Sequence, residues 1–337
     1  MGLQDLWFIL IGVLFVGFFF LEGFDYGVGI LLPFLGKTDE DRRVIINTIG
    51  PHWDANEVWM ITAGGAIFAA FPQWYATLFS GFYLALLLIL AALILRGVAF
   101  EFRSKEEGKT WRSFWDWMIF IGSLLPALLW GVAFGNLVQG TPIGPDMNFT
   151  GNFFDLLSPY TLLTGIASLA IFTLHGAVFL SMKTDGDVRE RAEALAKKSW
   201  QPVLVILAVL VVAHYVFVDV MSDKGIVPGI APVLAALAML GAGWALRENS
   251  FGKAFLAVSL TIVFSVVTFF WMLYPNVMIS STNPDYNLTV DNASASGKTL
   301  QVMTIVALIL VPIMLIYQAW TYWVFRQRIS GKSELEY

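Results

Sequence analysis

Residues 6 to 32 read LWFILIGVLFVGFFFLEGFDYGVGILL, an apolar run whose only charged members are Glu22 and Asp25. A helix needs about 20 apolar residues to cross the hydrocarbon of a bilayer. This stretch is therefore expected to span a membrane with two carboxyl groups inside it. A charge in hydrocarbon is costly and is seldom kept without a task. Further apolar windows are drawn near 52 to 71, 75 to 95, 113 to 138, 159 to 182, 200 to 220, 227 to 246, 254 to 275 and 300 to 325. The runs are continuous, whereas barrel strands alternate over about 10 residues. The expected fold is all-α, a polytopic integral membrane protein of about nine transmembrane helices.

Composition agrees. With 58% hydrophobic and 13% charged residues and a mean hydropathy of +0.72, the 337 residues fall far short of the roughly 25% charge of a soluble chain. One transmembrane domain over 1–337, without a soluble domain, is expected. Placing the connections alternately on two sides puts every Lys and Arg except Lys224 and Lys298 on one side. By the positive-inside rule that side is cytoplasmic, so the N-terminus is expected outside and the C-terminus inside. No Lys or Arg precedes the first run, which is also longer than the apolar core of a signal peptide, so the segment is expected to be retained. The absence of cysteine excludes disulfides, thiolate metal sites and thiol catalysis in this chain. A net charge of −5 offers no basic patch for nucleic acid.

The connections at 139–159 and 276–299, rich in Gly, Pro, Asn, Ser and Thr, are expected to be solvent loops. Leu21-Glu22-Gly23 followed by Lys37-Thr38-Asp39 is echoed by Leu174-His175-Gly176 followed by Lys183-Thr184-Asp185. The echo suggests two four-helix bundles related by duplication, plus one peripheral helix. Trp53, Trp59, Trp74, Trp111, Trp115 and Trp117 fall near predicted helix ends, where indoles favour the membrane interface.

Four acids carry the functional expectation. Glu22 and Asp25 are three apart and share a helix face; at 1.5 Å per residue Glu22 lies roughly 24 Å below the outer end, in the cytoplasmic half. Asp54 and Glu57 repeat this spacing on the next, antiparallel span, just inside the cytoplasmic edge. Buried carboxyl groups can exchange protons with water or with a neighbouring acid, so a proton relay is one outlet. The bland alternative is that Asp54 caps its helix and Glu57 snorkels or binds backbone. His52, His175 and His214 lie at unmatched depths and are read as polar contacts rather than a pair of haem ligands. Arg96, Glu101 and Arg103 are read as a snorkelling basic helix end, and Asp116 as interfacial.

Two stretches together resemble the second subunit of cytochrome bd-type quinol oxidases: Leu21-Glu22-Gly23-Phe24-Asp25-Tyr26-Gly27-Val28-Gly29, and Gly50-Pro51-His52-Trp53-Asp54-Ala55-Asn56-Glu57-Val58-Trp59 running on to Thr62-Ala63-Gly64-Gly65-Ala66. The resemblance implies a multi-pass protein of a prokaryotic cytoplasmic membrane, paired with a haem-bearing subunit I, in a complex that oxidises quinol and reduces oxygen to water with cytoplasmic protons. It implies that the haem b and haem d-type centres sit on subunit I, and that this chain has no catalytic or metal-binding residue of its own. It assigns proton transfer to Asp25 and Asp54, with Glu22 and Glu57 as their neighbours. It leaves open a structural quinone on this chain and a small third, single-helix subunit. The reading weighed against it is a proton-coupled secondary transporter, for which buried acids and repeats are also expected.

Overall fold

The computed structural model describes residues 2–218, 229–331, 333 and 335. The helices are α1 (Leu3–Leu35), α2 (Asp39–Ile49), α3 (Trp53–Ala70), α4 (Pro72–Gly81), α5 (Tyr83–Phe102), α6 (Lys109–Gln139), α7 (Pro159–Lys183), α8 (Gly186–Phe217), α9 (Ala231–Arg247), α10 (Phe251–Leu273) and α11 (Gly297–Val324). Among the described residues, 7 of them (α1, α5, α6, α7, α8, α10 and α11) are long and apolar enough to cross a membrane, and α9 is a shorter apolar helix. The chain is thus an all-α polytopic membrane protein. Residues 219 and 220 of the sixth expected span, residues 227 and 228 of the seventh, and Lys224 lie outside the described residues.

Several boundaries depart from expectation. The window at 75–95 is two helices, with the break at Phe82, and α5 runs on to Phe102. The basic connection after α7 is the first part of α8, begun at Gly186. The connection after α1 holds the amphipathic helix α2, whose N-cap Thr38 accepts from the Asp41 amide while Asp41 accepts from the Lys37 and Thr38 amides.

At the centre stands α1, packed against α3, α6, α7 and α10. It crosses α7 backbone to backbone. A Cβ on Gly27 would lie 2.0 Å from the Phe172 carbonyl oxygen, and one on Gly176 would lie 2.3 Å from the Gly27 carbonyl carbon. Only residues without a side chain allow such an approach, which brings small-residue helix faces into van der Waals contact. The segments that echo one another in sequence therefore pack on one another. Nearer the N-terminal end of α1, Phe15 and Phe19 meet Phe134 edge-on at 5.0 and 4.9 Å, filling the space between α1 and α6.

The polar connections at 139–159 and 276–299 are not free loops. Residues Asn276–Met278 (β1) pair antiparallel with Leu288–Thr289 (β2). The 139–159 connection joins this hairpin: the Thr141 amide donates to the Ile279 carbonyl at 2.9 Å, and the Ser281 amide to the Thr141 carbonyl at 2.8 Å. Ile143, Val277, Met278 and Leu288 are buried beneath them. Two loops thus satisfy each other's backbone and form a cap over the bundle.

Candidate functional site: a buried acid and arginine cluster

Glu22 and Asp25 are fully buried on α1. Glu57 reaches in from α3, and Arg96 from α5 lies between the helices, donating from Nη1 to Glu22 Oε1 and, at 2.7 Å, to Glu57 Oε1. Arg96 does not snorkel. Because α5 continues to Phe102, Arg96 is well inside the helix and wholly buried. Gly122 of α6 makes its niche, since a Cβ there would lie 2.6 Å from that of Arg96. The guanidinium also rides over the Tyr26 and Phe100 rings at 5.0 and 5.6 Å.

Asp25 belongs to a second branch. Its Oδ2 accepts from Asn56 Nδ2 at 2.7 Å. Asn56 Oδ1 in turn accepts from Gln318 Nε2 at 3.2 Å and from the Tyr322 hydroxyl at 3.0 Å. Trp59 Nε1 donates to Gln318 Oε1 at 2.8 Å. Glu22 Oε2, Asp25 Oδ1, the Tyr26 hydroxyl and Arg96 Nε and Nη2 are buried without a hydrogen-bond partner among the described residues.

Three of the four expected acids thus meet, and the fourth does not. Asp54 is exposed on the outward face of α3 with Ala55, Val58, Ile61, Thr62, Gly65 and Phe68. The i, i+3 spacing of Asp54 and Glu57 holds on the helix, but the face they share lies at the boundary between bundle and surroundings, so one acid turns in and the other out.

Other expectations need correcting. Arg103 and Asp116 are buried, joined at 2.6 Å, and Asp116 also takes Arg42 at 2.7 Å. Arg103 reaches Asp39 at 2.8 Å, and Asp39 takes Arg112 at 2.7 Å. This network locks α2 to α6 and to the end of α5; it is not an interfacial fringe. Glu101 is exposed. Trp74 is buried, and Trp59 serves Gln318, so neither is a belt residue. Two of the histidines make polar contacts, His175 Nε2 with Ser259 Oγ at 3.1 Å and His214 Nδ1 with the Tyr160 hydroxyl at 2.9 Å, whereas His52 stacks on the Tyr322 ring at 4.2 Å. Among the described residues no group of three or more His, Cys, Asp or Glu is placed to hold a metal ion. Arg96, Asn56, Gln318 and Tyr322 were missed as site residues. A charge inside LILRGVAF and an amide between two acids were the available signals.

A helical membrane bundle with an ion-paired acid cluster at its heart defines the class of protein. The family described as cytochrome bd terminal oxidase subunit II matches residues 3–325. Cytochrome bd ubiquinol oxidase subunit 2 of Bacillus subtilis (strain 168) is 44% identical over 336 residues, covering 100% of this chain and 99% of its own length. Cytochrome bd-I ubiquinol oxidase subunit 2 of Escherichia coli (strain K12) is 42% identical over 371 residues, covering 99% and 97%. The fold matches a chain of the bd oxidase structure from Geobacillus thermodenitrificans with a TM-score of 0.76 at 18% identity, covering 97% of this chain and 100% of that one. The chain belongs to the cytochrome bd terminal oxidase subunit II family.

Proposed function

We propose that this chain is the haem-free second subunit of a quinol:oxygen oxidoreductase, that it scaffolds a haem-bearing subunit I, and that it carries cytoplasmic protons toward that partner through Asp54, Glu57, Glu22 and Asp25. The observation that carries this reading is the buried cluster itself: Glu22 and Glu57 share one guanidinium inside an apolar bundle, and a third carboxyl group, Asp25, is buried on the same helix as Glu22 with an amide as its partner. In a medium of low dielectric, carboxyl groups in excess of cations are held with protons, and such protons can be passed on. Asp54, on the uncovered face of α3, is suited to receive them at the boundary with the partner. Membership of the oxidase family does not favour the transporter alternative.

Nine spans with the N-terminus outside, in the cytoplasmic membrane of a prokaryote, belong to the same proposal. It rests on the charge sorting and on helices occupying each expected apolar window. The partner is expected on the face formed by α3 and its neighbours, where Gly64 and Gly65 have open space above them. A structural quinone also fits the residues present. A cavity of about 550 Å³ between α6 and α10 is walled by Trp130, Phe134, Leu207 and Phe269, with the Tyr160 and His214 pair on its lining to hold a quinone carbonyl. Such a quinone would supply packing to the bundle.

The test is quinol oxidase activity of the complex carrying Asp25→Asn or Asp54→Asn. Loss of activity with the haem spectrum retained is the expected result. Loss of the haems would move these residues from proton transfer to assembly.

A further inference from the structure

The polar branch through α11 has a fixed sense. An indole N–H only donates, so Trp59 turns the carbonyl oxygen of Gln318 toward itself at 2.8 Å. The Gln318 amide nitrogen must then face Asn56, where it donates to Oδ1 at 3.2 Å. The Tyr322 hydroxyl donates to the same oxygen at 3.0 Å. With its oxygen so occupied, Asn56 has only its NH2 group to turn to Asp25, and Nδ2 lies 2.7 Å from Oδ2. An isolated amide can be flipped with little cost; this one is oriented by three successive donors.

The consequence falls on Asp25. The hydroxyl oxygen of a protonated carboxyl group is a poorer acceptor than its carbonyl oxygen, so an N–H held on Oδ2 favours placing the proton on the other oxygen. Oδ2 is therefore held as the acceptor. Oδ1 is buried and accepts from no N–H or hydroxyl group among the described residues, and the Glu22 carboxyl group lies within hydrogen-bonding reach of Asp25.

We infer that Asn56, Gln318 and Tyr322 are positioning residues that clamp Oδ2 of Asp25, so that Asp25 takes up and releases its proton at Oδ1 alone. Uptake forms one O–H bond at Oδ1 as the corresponding bond on a protonated Glu22 or a water breaks, release to water breaks the bond so formed, and no electrons change hands. The clamp is assembled by α11, a helix that is otherwise largely uncovered in this chain. Its N-terminal end is held by Trp7, whose Nε1 donates to the Leu300 carbonyl and to Thr304 Oγ1. Its C-terminal end is held by Lys183, whose Nζ donates to the carbonyls of Phe325 and Gln327. The inference rests on the proposed proton role of Asp25.

Two donors converge on Asn56 Oδ1, so either one alone keeps the amide oriented. In the purified complex, Tyr322→Phe, which keeps the ring on His52, and Gln318→Leu are each expected to lower turnover at most about twofold. The double variant and Asn56→Leu are expected to lower it about tenfold, the scale of a lost hydrogen bond to a charged group, with the haem spectrum retained. The second readout is the carboxylic C=O band of Asp25 in the redox-difference infrared spectrum, assigned by its disappearance in Asp25→Asn. It is expected to move to higher wavenumber in Asn56→Leu, because its oxygen then has no donor, and to broaden in the double variant, where the Asn56 amide is no longer oriented. If Asp25→Asn silences turnover but the band stays in place, or the single effects merely add, the clamp is wrong and the proton role stands. If Asp25→Asn leaves turnover intact, or no Asp25-dependent band exists, the proton role fails and the clamp with it.

Discussion

At Arg96 a single guanidinium faces Glu22 and Glu57 with no solvent to screen it. Removing one partner of a buried pair leaves charge uncompensated, at a cost of about 3–5 kcal/mol, whereas replacing the whole set by neutral groups of similar size is close to neutral. Arg96→Met is accordingly expected to reduce the yield of assembled complex sharply. The triple change Arg96→Met, Glu22→Gln and Glu57→Gln is expected to restore assembly without restoring turnover, measured as haem content against oxygen consumption. Recovery of assembly would show that Arg96 serves the acids and not the fold. Arg96 was legible as a charge in an apolar run. Its destination was not, because a long side chain near a predicted helix end can snorkel to water, and only the length of α5 and the niche at Gly122 decide against that.

Among the elements, the crossing of α1 and α7 depends on Gly27 and Gly176. A side chain at either position meets backbone, which cannot swing aside as a flexible side chain can. Gly27→Val is expected to destabilise the bundle by more than the roughly 1–3 kcal/mol of ordinary overpacking, read as a lower thermal midpoint in detergent. Gly27 stood in the sequence close to Asp25 and Gly176 beside His175, but the partner helix could be named only weakly, from the echo between the two segments. At the C-terminal end of α11, Lys183 holds the carbonyls of Phe325 and Gln327, the Ile329 amide donates to the Lys183 carbonyl at 2.8 Å, and Arg328 pairs with Asp185 at 3.0 Å. Lys183→Met is expected to loosen this clasp and speed proteolysis of the C-terminal tail, with little change in the thermal midpoint of the bundle. Composition had marked Lys183 only as part of a basic connection. Its partners are carbonyl groups, which leave no trace in composition.

For the whole molecule, α3 and α11 present apolar faces that no other part of this chain covers among the described residues. Gly65→Leu fills open space and is expected to leave the fold of this chain intact while weakening its hold on the partner, seen as loss of the haem-bearing subunit when the complex is purified through a tag on this chain. The unmodified tagged chain is expected to bring haem bands with it and to lose them on separation; haem kept by the separated chain would return attention to His52, His175 and His214. The membrane class and the helical architecture were readable beforehand, and a sidedness of the charges and a set of acids could be put forward as expectations, because hydrocarbon imposes its demands on each segment separately. A span must be apolar, its backbone must satisfy itself, and a charge within it needs a reason. Which acids meet, what cation they share, that Asp54 faces outward, and that two residues of the last helix orient an amide for a carboxylate on the first were decided only by the tertiary structure. Those relations join positions as far apart as Asp25 and Tyr322, and they depend on the rotation of each helix about its axis, which close packing sets and local composition does not.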